Sequence, residues 1–231
     1  FSVMSALARE HNALNLSQGF PDFKCDPLLP ELVYKAMQAG LNQYAPAHGL
    51  PVLREQISLL VSELYGAQYA PETEITVTSG ATEALFNVFA SVVKEGDDSF
   101  APVIERFGGQ PVYIPLTYPD YTIDWEMVKK RGNSSTRLIV LNTPHNPTGS
   151  IFGAHDMREL ERIVVNNQIY LLGDEVYEHM VYDGQEHQSI ARFPTLIGQS
   201  FIVSSFGKTF HTTGWKIGYC LATEGLTREL R

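Results

Sequence analysis

The chain has 231 residues, 44% hydrophobic and 19% charged, which is enough to bury one large core and unlike a disordered composition. Seventeen Lys and Arg against 26 Asp and Glu leave a formal charge of −9, which argues against nucleic acid or an anionic membrane as the main partner. No run approaches the roughly 18 apolar residues of a membrane helix, and the first ten residues lack a basic-then-apolar leader. Cys25 and Cys220 form no disulfide framework, so a cytoplasmic chain with reduced thiols is expected.

In chain order, residues 51–66 open with Pro51 and close on Gly66, and Leu53, Ile57, Leu60, Val61 and Leu64 follow helical spacing. Residues 74–79 read as a strand. Residues 82–95 read as a helix, with Leu85, Val88, Phe89, Val92 and Val93 on one face and Gly96 as its stop. A second helical pattern, 97–109, follows at once and breaks the alternation, which predicts that a strand is absent between Asp97 and Asp98. Residues 137–142 form a doubly buried apolar strand. Asp156 is expected to cap the next helix, with Glu159 three residues on and Leu160, Ile163 and Val164 inside. Strands are expected at 169–174, 200–205 and 217–222, and 227–231 reads as the first turn of another helix, so the sequence itself is expected to be incomplete. Apolar strands alternating with amphipathic helices predict an α/β fold, a mostly parallel (mixed) sheet sandwiched by helices.

In such a sheet, ligands bind beyond the carboxyl ends of the strands. Ser79-Gly80-Ala81-Thr82 follows the first strand at a helix N-terminus, where small residues and free N–H groups suit a phosphate. Asn142 to Gly149 follows the second, a polar turn fixed by two prolines. Asp174, Glu175 and Tyr177 follow the third, and Ser205 and Lys208 the fourth, with Lys216 eight residues further on. Taken singly each has an ordinary reading: a helix start, a loop cap, a plain turn. A nucleotide P-loop at Gly207-Lys208-Thr209 fails, because its motif needs glycine where Ile202 stands. The seven histidines show no i, i+4 pair with an acidic partner, so no metal site is expected. An anion cradle, two amides, an acid and two lysines in sheet order predict one site.

These motifs, Asn146-Pro147-Thr148-Gly149, Gly173-Asp174-Glu175-Val176-Tyr177 and 204–210 (SSFGKTF), resemble those of the class I/II (fold-type I) pyridoxal-phosphate aminotransferases in order and approximate spacing. Segments 15–23 (NLSQGFPDF), 42–46 (NQYAP) and 212–219 (TTGWKIGY) are most similar to the methionine and kynurenine aminotransferase branch. The resemblance covers nearly the whole chain. It implies pyridoxal 5'-phosphate as cofactor, with Lys208 as the lysine that binds it covalently and moves the proton between substrate and cofactor. Asp174 matches the carboxylate that pairs with the pyridine nitrogen, and Tyr177 and Asn146 match the donors to the ring's phenolic oxygen. Gly80, Ala81 and Thr82 match the phosphate cup. Ser205 and Lys216 match its side-chain contacts, although many relatives carry Arg at the latter position, which would give a bidentate fork in place of a point charge.

Tyr44 matches a residue that reaches the neighbouring subunit's phosphate, which implies a homodimer with shared sites. Gly19 and Asn146 are the expected substrate contacts, and Phe20 and Tyr44 suggest apolar or aromatic side chains. The resemblance also implies an N-terminal arm with part of a small domain at 1–26 and a large cofactor-binding domain at 27–231, with the small domain incomplete. The ring-stacking aromatic belongs to the absent strand near 97–98, and the carboxylate-binding arginine to an absent C-terminal part. The expected reaction moves an amino group from a methionine, aromatic or kynurenine-like L-amino acid to a 2-oxo acid. The alternatives are a cysteine-conjugate β-lyase and a truncated, non-catalytic chain that binds the cofactor.

Overall fold

A computed structural model describes residues 2–16, 19, 21, 23–93 and 103–231, arranged as two compact units, Phe1–Gln43 and Tyr44–Arg231. The first unit holds α1 (Ser2–Glu10) and α2 (Leu28–Gln38). The Asp26 carboxylate starts α2 by accepting the Leu28 N–H at 2.8 Å, which satisfies one of the free donors of its first turn.

The second unit begins with α3 (Pro51–Tyr65). Pro51 stands at its N-terminus, and Gly66 ends it at φ 73°, its N–H bonded to the Ser62 carbonyl at 3.0 Å. There follow β1 (Ile75–Thr78), α4 (Gly80–Val92), α5 (Val103–Arg106), α6 (Trp125–Arg131), β2 (Leu138–Asn142), α7 (Ala154–Asn167), β3 (Tyr170–Asp174), α8 (Pro194–Ile197), β4 (Ser200–Ser205), α9 (Phe206–Thr209), β5 (Gly218–Leu221) and α10 (Glu224–Leu230). All five predicted strands form.

Three local expectations change. Helix α4 starts at Gly80, not at 82, and ends at Val92, where Val93 turns extended; the stop expected at Gly96 and the interruption at 97–98 lie outside the described residues. Of the helical pattern at 97–109, residues 103–109 are described, and only Val103–Arg106 form a helix, α5. Asp156 lies inside α7, not at its cap: Gly153 is the cap, and Asp156 reaches back from the first turn to accept the Gly153 N–H at 2.8 Å.

The strands lie in the order β1-β5-β4-β3-β2. The pairs β2–β3 and β3–β4 are parallel, and β5 runs antiparallel to both β4 and β1. Four strands therefore share one direction and β5 opposes them, a mixed, mostly parallel sheet. Side chains alternate between two cores, as the strand period of two requires. Leu171, Ile202 and Leu221 face Ile57, Val61, Leu160 and Val164 of α3 and α7. Leu172, Phe201, Val203 and Cys220 face Ala84, Val88 and Phe89 of α4 and Leu230 of α10. Both faces are covered, so apolar side chains point to both sides of the inner strands. Arg231, just past α10, clips the chain end to β1 with hydrogen bonds to the Thr76 hydroxyl and the Ile75 carbonyl at 3.1 and 2.9 Å.

Candidate active site

Strands β1 to β4 end on one rim. Because β5 is antiparallel, its beginning lies there too: Gly218 is in register with both Thr78 and Ser205, and Asn142 with Asp174. The geometry that makes a parallel sheet a ligand platform thus gathers residues scattered from 78 to 218.

Asn142 shapes the first part of the site. Its amide donates to the Asp174 carbonyl at 3.1 Å, and its Oδ1 accepts the Asn146 N–H at 2.7 Å. The loop then closes on itself. The Gly149 N–H, at a φ of 75° that suits glycine, bonds the His145 carbonyl at 2.7 Å, and His145 Nδ1 lies 2.8 Å from the Thr148 hydroxyl. Burial lowers the pKa of His145. So held, Asn146 donates its side-chain amide to the Tyr177 hydroxyl at 3.2 Å.

Lys208 lies on α9, immediately after β4, with Nζ 5.2 Å from the centre of the Tyr177 ring. Asp174 ends β3 with its Oδ1 buried and without a hydrogen-bond partner. Burial pushes its carboxyl up to about 6; the Val176 N–H and the Lys208 cation oppose the rise, and Glu175 adds to it. An acid with an unused buried oxygen, a phenol, an amide and a lysine therefore gather at the ends of adjacent strands.

The second half surrounds the start of α4. Gly80 has φ 75°, and a Cβ there would come within 3.7 Å of Cα and Cδ of Lys216. A Cβ on Gly218 would fall 2.6 Å from both the Ala81 nitrogen and the Gly80 carbonyl carbon. Only a glycine lets β5 approach the helix so closely. Gly80, Ala81, Gly218 and Lys216 thus adjoin, with Thr82 exposed in the first turn and Ser205 buried opposite Gly218. Unused N–H groups at the start of a 13-residue helix and a neighbouring ammonium suit an anion. The Ser79 N–H is already taken by the Glu83 carboxylate. Of the other predicted site residues, Tyr44 is fully exposed and Gly19 lies in the first unit.

A cavity of about 390 Å³ lies beside β2, lined by apolar residues such as Ile139, Leu141, Trp125 and Phe152. It shares Asn142 and His145 with the rim but includes neither Asp174 nor Lys208, so it is not where the polar groups meet.

Beneath the rim lies a buried acid pair with no counterpart in the predicted site. Glu175, 1% exposed, accepts the Ile190 N–H and pairs with His187 Nε2, both at 2.9 Å. Glu178, 6% exposed, accepts the Tyr65 and Ser204 hydroxyls, with the Tyr219 hydroxyl at 3.5 Å. Three acids within five residues at the end of an apolar strand are the one sequence sign of it.

Residues 11–231 match the family described as aminotransferase class I and II. The methionine aminotransferase of Escherichia coli K12 is 42% identical over 240 aligned residues, which cover all of this chain and 62% of that protein. Human kynurenine–oxoglutarate transaminase 3 is 34% identical, over 97% of this chain and 54% of its own length. Among solved structures, YbdL of Escherichia coli, to which a methionine aminotransferase function is ascribed, superposes with a TM-score of 0.94 at 41% identity, over 100% of this chain and 63% of that one. The N-succinyldiaminopimelate aminotransferase of Mycobacterium tuberculosis gives 0.95 at 34% identity, over 99% and 62%. The chain spans 54% to 62% of the length of the curated relatives it matches.

Proposed function

Because the chain belongs to the class I and II aminotransferases, we propose that it binds pyridoxal phosphate, the cofactor of that family, on this rim and moves amino groups from L-amino acids to 2-oxo acids. The observation that carries the reading is the buried, unpartnered Oδ1 of Asp174 beside Lys208 and the Tyr177–Asn146 pair. A buried acceptor left without a donor costs roughly 1–3 kcal/mol, and a protonated pyridine nitrogen is the donor that would relieve it.

The residues present fit the cofactor at both ends. Gly80, Ala81 and Thr82 would take its phosphate on their N–H groups and the threonine hydroxyl, with the Ser205 hydroxyl and the Lys216 ammonium alongside. Tyr177 and Asn146 would hold the ring's phenolic oxygen. When bound, the cofactor supplies an electron sink for negative charge at the substrate Cα. Asp174, ionised, would hold the ring nitrogen in its protonated form. Lys208 would anchor the cofactor and, once displaced by the substrate amine, use its neutral Nζ to take the Cα proton and return it on the other side of the transfer.

Methionine, aromatic or kynurenine-like side chains are the proposed donors. The names of the similar proteins support this, while Phe20 lies outside the described residues. Gly19 and Asn146 are proposed as substrate contacts. The 1–26 arm with part of a small domain and the 27–231 large domain belong to the same proposal, as does a homodimer in which Tyr44 reaches the partner's site. The test is nitrogen transfer: methionine labelled with ¹⁵N, incubated with cofactor-loaded chain and a 2-oxo acid, should label the new amino acid, from a species that sediments as two chains. Pyruvate and ammonia released from a cysteine conjugate without an acceptor, and no label transferred, would contradict it.

A further inference from the structure

We propose that Glu178 is a positioning residue for the cofactor site, a buried carboxylate that locks the Asp174–Tyr177 turn to the strand ends carrying Ser205, Lys208 and Gly218. The inference rests on the cofactor reading above. Three elements meet at this one side chain. Tyr65, the last residue of α3, donates its hydroxyl to one oxygen; Ser204 of β4 donates to the other, and the Tyr219 hydroxyl of β5 approaches that oxygen to 3.5 Å. Ser204 and Tyr219 are register partners, each adjacent in sequence to a residue of the proposed phosphate side, Ser205 and Gly218.

The backbone follows the same plan. The Glu178 N–H closes the turn on the Glu175 carbonyl at 2.9 Å, and the Glu175 N–H bonds the Val203 carbonyl at 2.8 Å, so this backbone bond and the Ser204–Glu178 side-chain bond both fasten the turn to β4. Tyr177 lies between the two acids, directly before Glu178, and its hydroxyl receives the Asn146 amide. A carboxylate buried to this degree is costly to desolvate, and a hydrophobic side chain would fill the space without that cost. What the acid adds is direction: fixed donors on separate elements set where the preceding Tyr177 hydroxyl stands relative to Lys208.

The other ionisable or charged groups around it are Tyr65 from α3, with His187 edge-on at 6.2 Å and Arg192 over its ring at 5.6 Å, Tyr219 from β5, and Glu175 on its own turn. Burial, reinforced by Glu178, holds both tyrosines well above the usual phenol range, so each remains a donor throughout the working pH range.

The test compares wild type, Glu178→Gln, Ser204→Ala and Tyr65→Phe. Three quantities are read: pyridoxal phosphate affinity by absorbance titration, the pH midpoint of the bound cofactor's visible band, and the thermal midpoint of the cofactor-free chain. Glu178→Gln keeps the shape and one acceptor oxygen. It should weaken the cofactor by about tenfold or more and move the band midpoint. Ser204→Ala and Tyr65→Phe should do the same to a smaller degree, and Ser204→Ala should add little once Glu178 is already Gln. Variants that lower the thermal midpoint yet keep wild-type affinity and band midpoint would overturn the inference and leave Glu178 a merely structural acid. If Glu178→Gln fails to fold, Tyr65→Phe decides by the same readings. Absence of any band from wild type would instead overturn the cofactor reading, and this inference with it.

Discussion

At Asp174 burial works against charge, and that has a consequence measurable without any cofactor. The native carboxyl holds its proton up to about pH 6, against an ordinary value of 3.8. Between those values the native state binds more protons than the unfolded one, so this residue's contribution to stability declines as pH rises and is fully unfavourable above the native value. The size is of order 1–3 kcal/mol. Cofactor-free Asp174→Asn should therefore melt higher than wild type at pH 8, and the gap should close toward pH 4. Parallel melting curves across that range would contradict the assignment. Asp174, Tyr177, Asn146 and Lys208 were legible from sequence because Asp174 ends a strand, the others stand in the turns just beyond strand ends, and sheet geometry does the gathering. Glu178 was not, since Tyr65 stands 113 residues before it and Tyr219 stands 41 after it. No local window shows that three hydroxyls converge on it.

Among the elements, the strands were the most legible because both faces are buried and leave short runs of apolar and small hydroxyl residues, whereas helix ends depend on contacts that spacing does not encode. Asp156 illustrates this: its position suited a cap, but a residue reaching back from the first turn serves the same N–H, and Gly153 takes the cap. Gly218 illustrates the reverse, a residue of the 212–219 segment with no role assigned from sequence, whose missing side chain sets the distance between β5 and α4. A methyl group there would meet backbone at Ala81 and Gly80 and lie 3.0 Å from the Ser204 carbonyl, so the helix start must move. Gly218→Ala should weaken pyridoxal phosphate about tenfold or more while leaving pyridoxal, which lacks the phosphate, much less affected. Equal weakening of both would mean that the close approach does not serve an anion.

For the whole molecule, fold class and family were legible because five strands and three motifs fall in one order, and the mixed character of the sheet came down to a single reversed strand, β5. The break expected between Asp97 and Asp98 lies outside the described residues, and the 240 positions aligned with the Escherichia coli relative exceed the 231 residues of the chain. None of the described helices is long and apolar enough to cross a membrane, and a chain of net charge −9 nonetheless places Lys208 and Lys216 at the rim. The central claim is that this rim is a pyridoxal phosphate site anchored on Lys208. The most direct measurement adds pyridoxal phosphate, reduces with borohydride, digests the chain and locates the pyridoxyl group by mass spectrometry. The account predicts one label, on Lys208, lost in Lys208→Ala. A label on another lysine, or none, would contradict it.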